Sequence, residues 1–147
     1  MIDVRIDTSE LDGLLERFPR VFPAAVARAL PVIGAGVAER ATRAFRYPAL
    51  RPEEWEPRKG KDDGRPLLVR SGTMVRSMEW RVEGPDTVRV GSSAEYAPYH
   101  QHGTRNMPAR PFLPVERSGS LVPAMERKVA GFVERAFEEE LGKIIVG

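Results

Sequence analysis

The stretch EWRVEGPDTVRV, from Glu79 to Val90, decides the fold. Trp80 and Val82 mark a strand over Glu79 to Glu83, and Thr87-Val88-Arg89-Val90 runs back as a second strand. Between them Gly84-Pro85-Asp86 supplies ordinary turn chemistry, so the segment reads as a β-hairpin. Upstream, LLVRSGTMVRSM from Leu67 to Met78 contains a Ser-Gly-Thr turn and leads into the hairpin.

A third strand comes from the start of the chain. Ile2, Val4 and Ile6 alternate with Asp3, Arg5 and Asp7, the period-two pattern of a half-buried strand. Thr8 or Ser9 can then cap a short helix carrying Leu11, Leu14, Leu15 and Phe18, which Pro19 stops. From Arg20 to Phe45 the set Phe22, Val26, Ala29, Ile33, Val37, Ala41 and Ala44 keeps helical spacing and predicts a long helix. Pro31 lies inside it and predicts a kink or break, and Gly34 and Gly36 weaken the same region.

Downstream, Glu95 to His102 reads as about two helical turns, followed by a polar loop. Leu121, Met125, Val129, Phe132, Val133, Ala136, Phe137 and Leu141 mark a second long amphipathic helix, with Glu138, Glu139 and Glu140 on its wet side. Ile144 to Val146 is expected to add an edge strand. The whole, residues 1–147, reads as one α+β domain: a small, largely antiparallel sheet packed with two longer helices. One long loop interrupts it. Residues 46–66, RYPALRPEEWEPRKGKDDGRP, hold no apolar period and read as mobile. Trp55, in that loop, either folds back or is covered by a partner.

Composition excludes several functions. Without cysteine there is no disulfide frame, thiolate metal site or thiol nucleophile. No unbroken apolar run approaches the roughly 18 residues of a membrane span, and the start lacks the pattern of a secretory signal, so no membrane role is expected. Net charge is +2 with mixed signs along the chain. That leaves a small basic nucleic-acid-binding domain as a lesser alternative, using Arg58, Lys59, Lys61, Arg65 and Arg70.

Enzymatic readings fare worse. His100 and His102 are the only histidines, and a catalytic zinc site needs three protein ligands. No Asp or Glu lies between Glu95 and Glu116, and from a regular helix residues at i and i+2 diverge by about 200 degrees. A His-based metal hydrolase is therefore the weakest alternative. Ser71 and Ser92 sit in turns without a nucleophile-elbow pattern, and no glycine loop suits a phosphate. No cofactor is expected, and no enzyme. The unusual feature is the grouping of Tyr96, Tyr99, His100, Arg105, Met107, Arg110 and Phe112 in a proline-stiffened segment. Aromatics, Met and Arg are the types enriched at protein interfaces. The aromatics are expected to turn inward and Arg105 and Arg110 outward.

These residues occur in an ordered series: Trp55, LLVRSGTMVRSM at Leu67–Met78, VGSS at Val90–Ser93, YAPYHQHGT at Tyr96–Thr104 and MPARPFLP at Met107–Pro114. In this the chain resembles the phage virion-morphogenesis and tail-completion proteins of the Mu-like type, which overlap with head-tail joining neck proteins. The resemblance implies a virion component of tail or neck, made in the host cytoplasm. It would complete the tail or join head to tail as a homo-oligomeric ring, with other tail and connector proteins as partners and weak DNA contact in the channel. On this view the Tyr96–Pro114 loop is one contact patch, the Trp55 loop covers a neighbour, and Arg110 pairs with an acidic group across the contact.

Overall fold

A computed structural model describes residues 2–9, 12–60, 68 and 72–146. Three strands, β1 (Ile2–Asp7), β2 (Met78–Glu83) and β3 (Thr87–Ser92), form an antiparallel sheet in the order β1-β3-β2. The hairpin closes with Glu83 opposite Thr87, and β1 pairs with β3 from Ile2↔Ser92 to Asp7↔Thr87. Side chains alternate between faces along each strand, so Val4, Ile6, Trp80, Val88 and Val90 share one face. Asp3, Arg5, Arg81, Glu83 and Arg89 share the other, where Arg89 meets Asp3 at 3.2 Å and Arg81 meets Glu83 at 2.9 Å.

The apolar face is covered by α2 (Val21–Ala44), against which α4 (Pro123–Val146) packs, with the short α1 (Asp12–Arg17) before them and α3 (Ala97–His102) between β3 and α4. Phe22, Ile33, Val37, Val88, Val90, Met125 and Val133 form the main core. By length and mean hydropathy α2 would suffice to cross a membrane, but 56% of its most apolar window is buried here, as befits a core helix. Gly34 shows why it lies so close to the sheet. A Cβ there would stand 2.8 Å from the Trp80 ring and 2.9 Å from Val88, so only glycine admits the approach. Gly36 likewise faces Phe132 of α4. The two glycines that weaken the helix locally are its contact points.

Three local expectations change. No break occurs at Pro31: α2 runs through it, held on both sides by buried Ala29, Leu30, Ile33 and Gly34. The Thr8 hydroxyl donates to the Asp86 carbonyl and the Ser9 hydroxyl to Asp7 at 2.6 Å; residues 10 and 11, where a cap from either would act, lie outside the described residues. Residues 144–146 are helical, not an edge strand, because α4 continues to Val146; extending a helix gains one hydrogen bond per residue fixed. The long loop after α2 is irregular beyond a 3-10 turn at Pro48–Leu50, but from Arg51 to Pro57 it is fastened to the domain. Its last part, 61–66, lies outside the described residues, as do Lys61, Arg65 and Arg70 of the basic set.

Candidate functional site

A second core lies at the C-terminal end of α2, where Ala41 and Phe45 meet Ile2, Trp55, Met74, Ala97, Phe112 and Leu113. Phe45 stacks on Phe112 at 5.3 Å between centroids and takes the edge of Trp55 at 6.1 Å. The Trp55 indole N–H donates to the Pro111 carbonyl at 2.8 Å, which satisfies the one polar atom of a ring only 5% exposed. Over the ring's other side lies the Arg51 guanidinium, 3.6 Å from the centroid. It also donates to the Ala44 and Phe45 carbonyls, two of the acceptors that the end of α2 leaves without helical partners. Burial lowers the pKa of Arg51 from its ordinary value. Trp55 therefore folds back onto its own chain.

The segment after β3 is built on this core. Tyr96 precedes α3, and Gly103 ends it at φ 73° with its N–H on the Tyr99 carbonyl. A Cβ on Gly103 would lie 2.7 Å from the Ala109 nitrogen, so glycine is required twice over, for the angle and for the space. The chain then turns through Thr104–Met107, whose backbones exchange two hydrogen bonds, and returns so that the Arg110 N–H reaches the His100 carbonyl at 2.7 Å. Gln101 fixes the return. Its buried side-chain carbonyl accepts from Phe112 N–H at 3.0 Å and Leu113 N–H at 3.1 Å, groups that no strand partner serves.

The expected contact residues divide sharply on this frame. Phe112 and Trp55 are internal. Arg110 turns back: its guanidinium donates to the Glu56 carbonyl at 3.0 and 3.1 Å and to that of Pro57 at 3.2 Å, tying the Trp55 loop to the Tyr96 segment. The outward course expected of Arg110 is corrected by these three bonds. Tyr96 and Tyr99, expected inward, are 41% and 57% exposed, because α3 gives its buried positions to Ala97 and Gln101. Met107 and Arg105 are exposed as well. His100 is half-buried beneath Tyr96, whose ring meets it edge-on at 5.9 Å; burial and then the Arg110 charge lower its pKa.

His100 and His102 both lie on α3, two residues apart. Among the described residues no three His, Asp or Glu side chains gather as metal ligands. A groove of about 650 Å³ runs along β1 toward residues 113–119 and includes His102. Its Arg117 and Glu53 are paired with each other at 3.2 Å.

Gln101 is the frame residue that sequence reading passes over. Its signal is a polar side chain between two histidines in a segment with no strand partner, so something must satisfy the returning backbone. Ser92 is similar: fully buried, its hydroxyl shares a 2.6 Å hydrogen bond with that of Ser77, linking the two serine-bearing motifs.

Trp55, Ser77, Ser92, Gln101 and Phe112 thus tie the ordered motifs into one frame. The sequence model of the phage virion morphogenesis family matches residues 6–138. The chain belongs to that family. Neither curated proteins nor solved structures give a significant match. Family membership supports a role in building the phage particle and extends the resemblance beyond the Trp55–Pro114 motifs to both long helices.

Proposed function

We propose that this chain is a non-catalytic structural protein that completes the tail or joins it to the head, as a ring of identical copies in the virion. The observation that carries the reading is the set of exposed side chains Tyr96, Tyr99, Arg105 and Met107 on a segment pinned from beneath by Gln101 and Arg110. Large aromatic and Met side chains left in water on a rigid support are what an assembly contact uses, since little entropy is lost when a partner covers them. Trp55, Phe112, His100 and Arg110 then act as supports of the contact surface. A ring needs a heterologous contact, so this patch would meet a different surface of the next copy or of a connector protein.

The test is Tyr96→Asp with Tyr99→Asp in one chain, followed by circular dichroism, incorporation into particles and yield of joined, infectious particles. The expected result is a folded protein that fails to enter the particle. Normal incorporation and joining would overturn the reading.

A further inference from the structure

Among the described residues the hairpin leaves one edge of the sheet open, and its chemistry is self-complementary. In β2 the four residues from Glu79 to Val82 are all exposed, whereas β3 beside it is almost wholly buried. Trp80 and Val82 point to the apolar face yet remain 40% and 42% exposed. The hydrogen-bond phase of the edge follows from the register. Thr8 N–H donates to the Asp86 carbonyl at 3.1 Å, which continues the β1–β3 ladder. Bonding pairs alternate in an antiparallel ladder, so Val88, Val90 and Ser92 bond to β1 while Thr87, Arg89 and Gly91 bond to Glu83, Arg81 and Glu79. Met78, Trp80 and Val82 therefore hold their N–H and C=O groups toward the open edge. Among the described residues no strand pairs with them.

We infer that a second copy of this chain occupies this edge, pairing β2 with β2 antiparallel about a two-fold axis at Trp80. Charge decides both occupant and register. With Trp80 opposite its symmetry mate, Glu79 stands opposite Arg81 of the other copy and Arg81 opposite its Glu79, while Met78 meets Val82. Opposite charges directly across a ladder are favourable and like charges are not. Moving the axis to Arg81 sets arginine against arginine and Glu79 against Glu83. Moving it to Val82 sets Trp80 against Gly84, whose φ of 69° is not extended. Within one chain, Glu83 already has Arg81 and Arg89, but Glu79 has no ion pair among the described residues; the dimer supplies one. The contact yields a continuous six-stranded sheet with both helical layers on one side, and it covers the outward side of the Trp80 ring, whose other side rests at Gly34.

This dimer is the free protein's contact and is separate from the Tyr96–Met107 surface, so either proposal can fail alone. Sedimentation equilibrium of the full chain over a concentration series is expected to show a monomer–dimer equilibrium. Glu79→Arg and Arg81→Glu should each weaken dimerisation at least tenfold, and the double variant, with the pairs exchanged, should restore it. Val82→Pro removes only an outward-facing N–H, so it should give a monomer with wild-type circular dichroism. A wild type that stays monomeric at millimolar concentration would overturn the inference, including one whose β2 edge binds a different protein. So would a Glu79→Arg chain that dimerises as well as wild type, or a folded double variant that stays monomeric.

Discussion

The two tryptophans of this chain invert what their surroundings suggest. Trp55 comes from a stretch of proline, glycine and charge, yet its ring is 5% exposed, with an aromatic neighbour, a cation above it and a carbonyl on its nitrogen. Trp80 comes from a well-patterned strand, points to the apolar face, and is 40% exposed. Their neighbours in sequence are polar in both cases. What separates them is position in the tertiary structure: Trp55 reaches the space beyond the end of α2, while Trp80 stands on an edge strand, with Gly34 of α2 against its ring and no further strand beside it among the described residues. A large apolar ring buried within the chain contributes to stability, and one left at an edge is available for association.

That contrast can be broken most forcefully at Trp55. Trp55→Ala should cost about 3–5 kcal/mol, the range for emptying a buried aromatic site, read from chemical denaturation. A loss below 1 kcal/mol would mean that the ring does not anchor the loop. Next comes Gln101→Ala, which leaves the Phe112 and Leu113 N–H groups without an acceptor in the core that holds Trp55; about 2–3 kcal/mol is expected by the same measurement. Trp80→Ala should lower stability by only about 1–2 kcal/mol, in keeping with a half-exposed ring. In single-tryptophan variants, Trp55 should emit blue-shifted and resist acrylamide while Trp80 emits red-shifted and is quenched. Equal quenching of the two would erase the contrast. Arg110→Ala should cost about 1 kcal/mol, since its hydrogen bonds to Glu56 and Pro57 lie at the surface.

The smallest effect concerns His100. Its pKa is lowered in the folded state, by burial first and the Arg110 charge second, so on acidification the unfolded imidazole takes up its proton before the folded one. Stability then falls as pH drops from about 6.5, the unfolded value, through the lower folded one. Thermal unfolding against pH should show wild type losing ground to His100→Gln across that window. An unchanged difference between the two would remove His100 from the acid response.

Much of the frame was legible because its signals are periodic. Alternation over Ile2 to Ile6 and the hairpin chemistry from Glu79 to Val90 place all three strands, and the apolar spacing of α2 and α4 places both long helices. Pro31 does not break α2 because its local cost is outweighed by burial on both sides, and Gly34 misleads because close approach to Trp80 is invisible in one dimension. The site was legible as a segment and not as orientations. Tyr96, Tyr99, Phe112 and Arg110 are all suited to contacts by residue type, but the exposure of the tyrosines depends on the rotation of a six-residue helix too short to show a period, and that of Arg110 and Phe112 on how the chain returns beside it.

By itself, then, the sequence determined the α+β class, the hairpin and the two long helices, since local hydrogen bonding and apolar period specify them within a few residues of chain, and its ordered motifs from Trp55 to Pro114 carried the resemblance to the phage-assembly family. Only the tertiary structure decided that Trp55 is buried in the chain's own core and Arg110 fastens the chain's own loop while Tyr99 and Trp80 are left exposed. Burial is set by what lies across space, and Trp55 meets Pro111 and Phe45 only once α2 has brought those distant parts of the chain together.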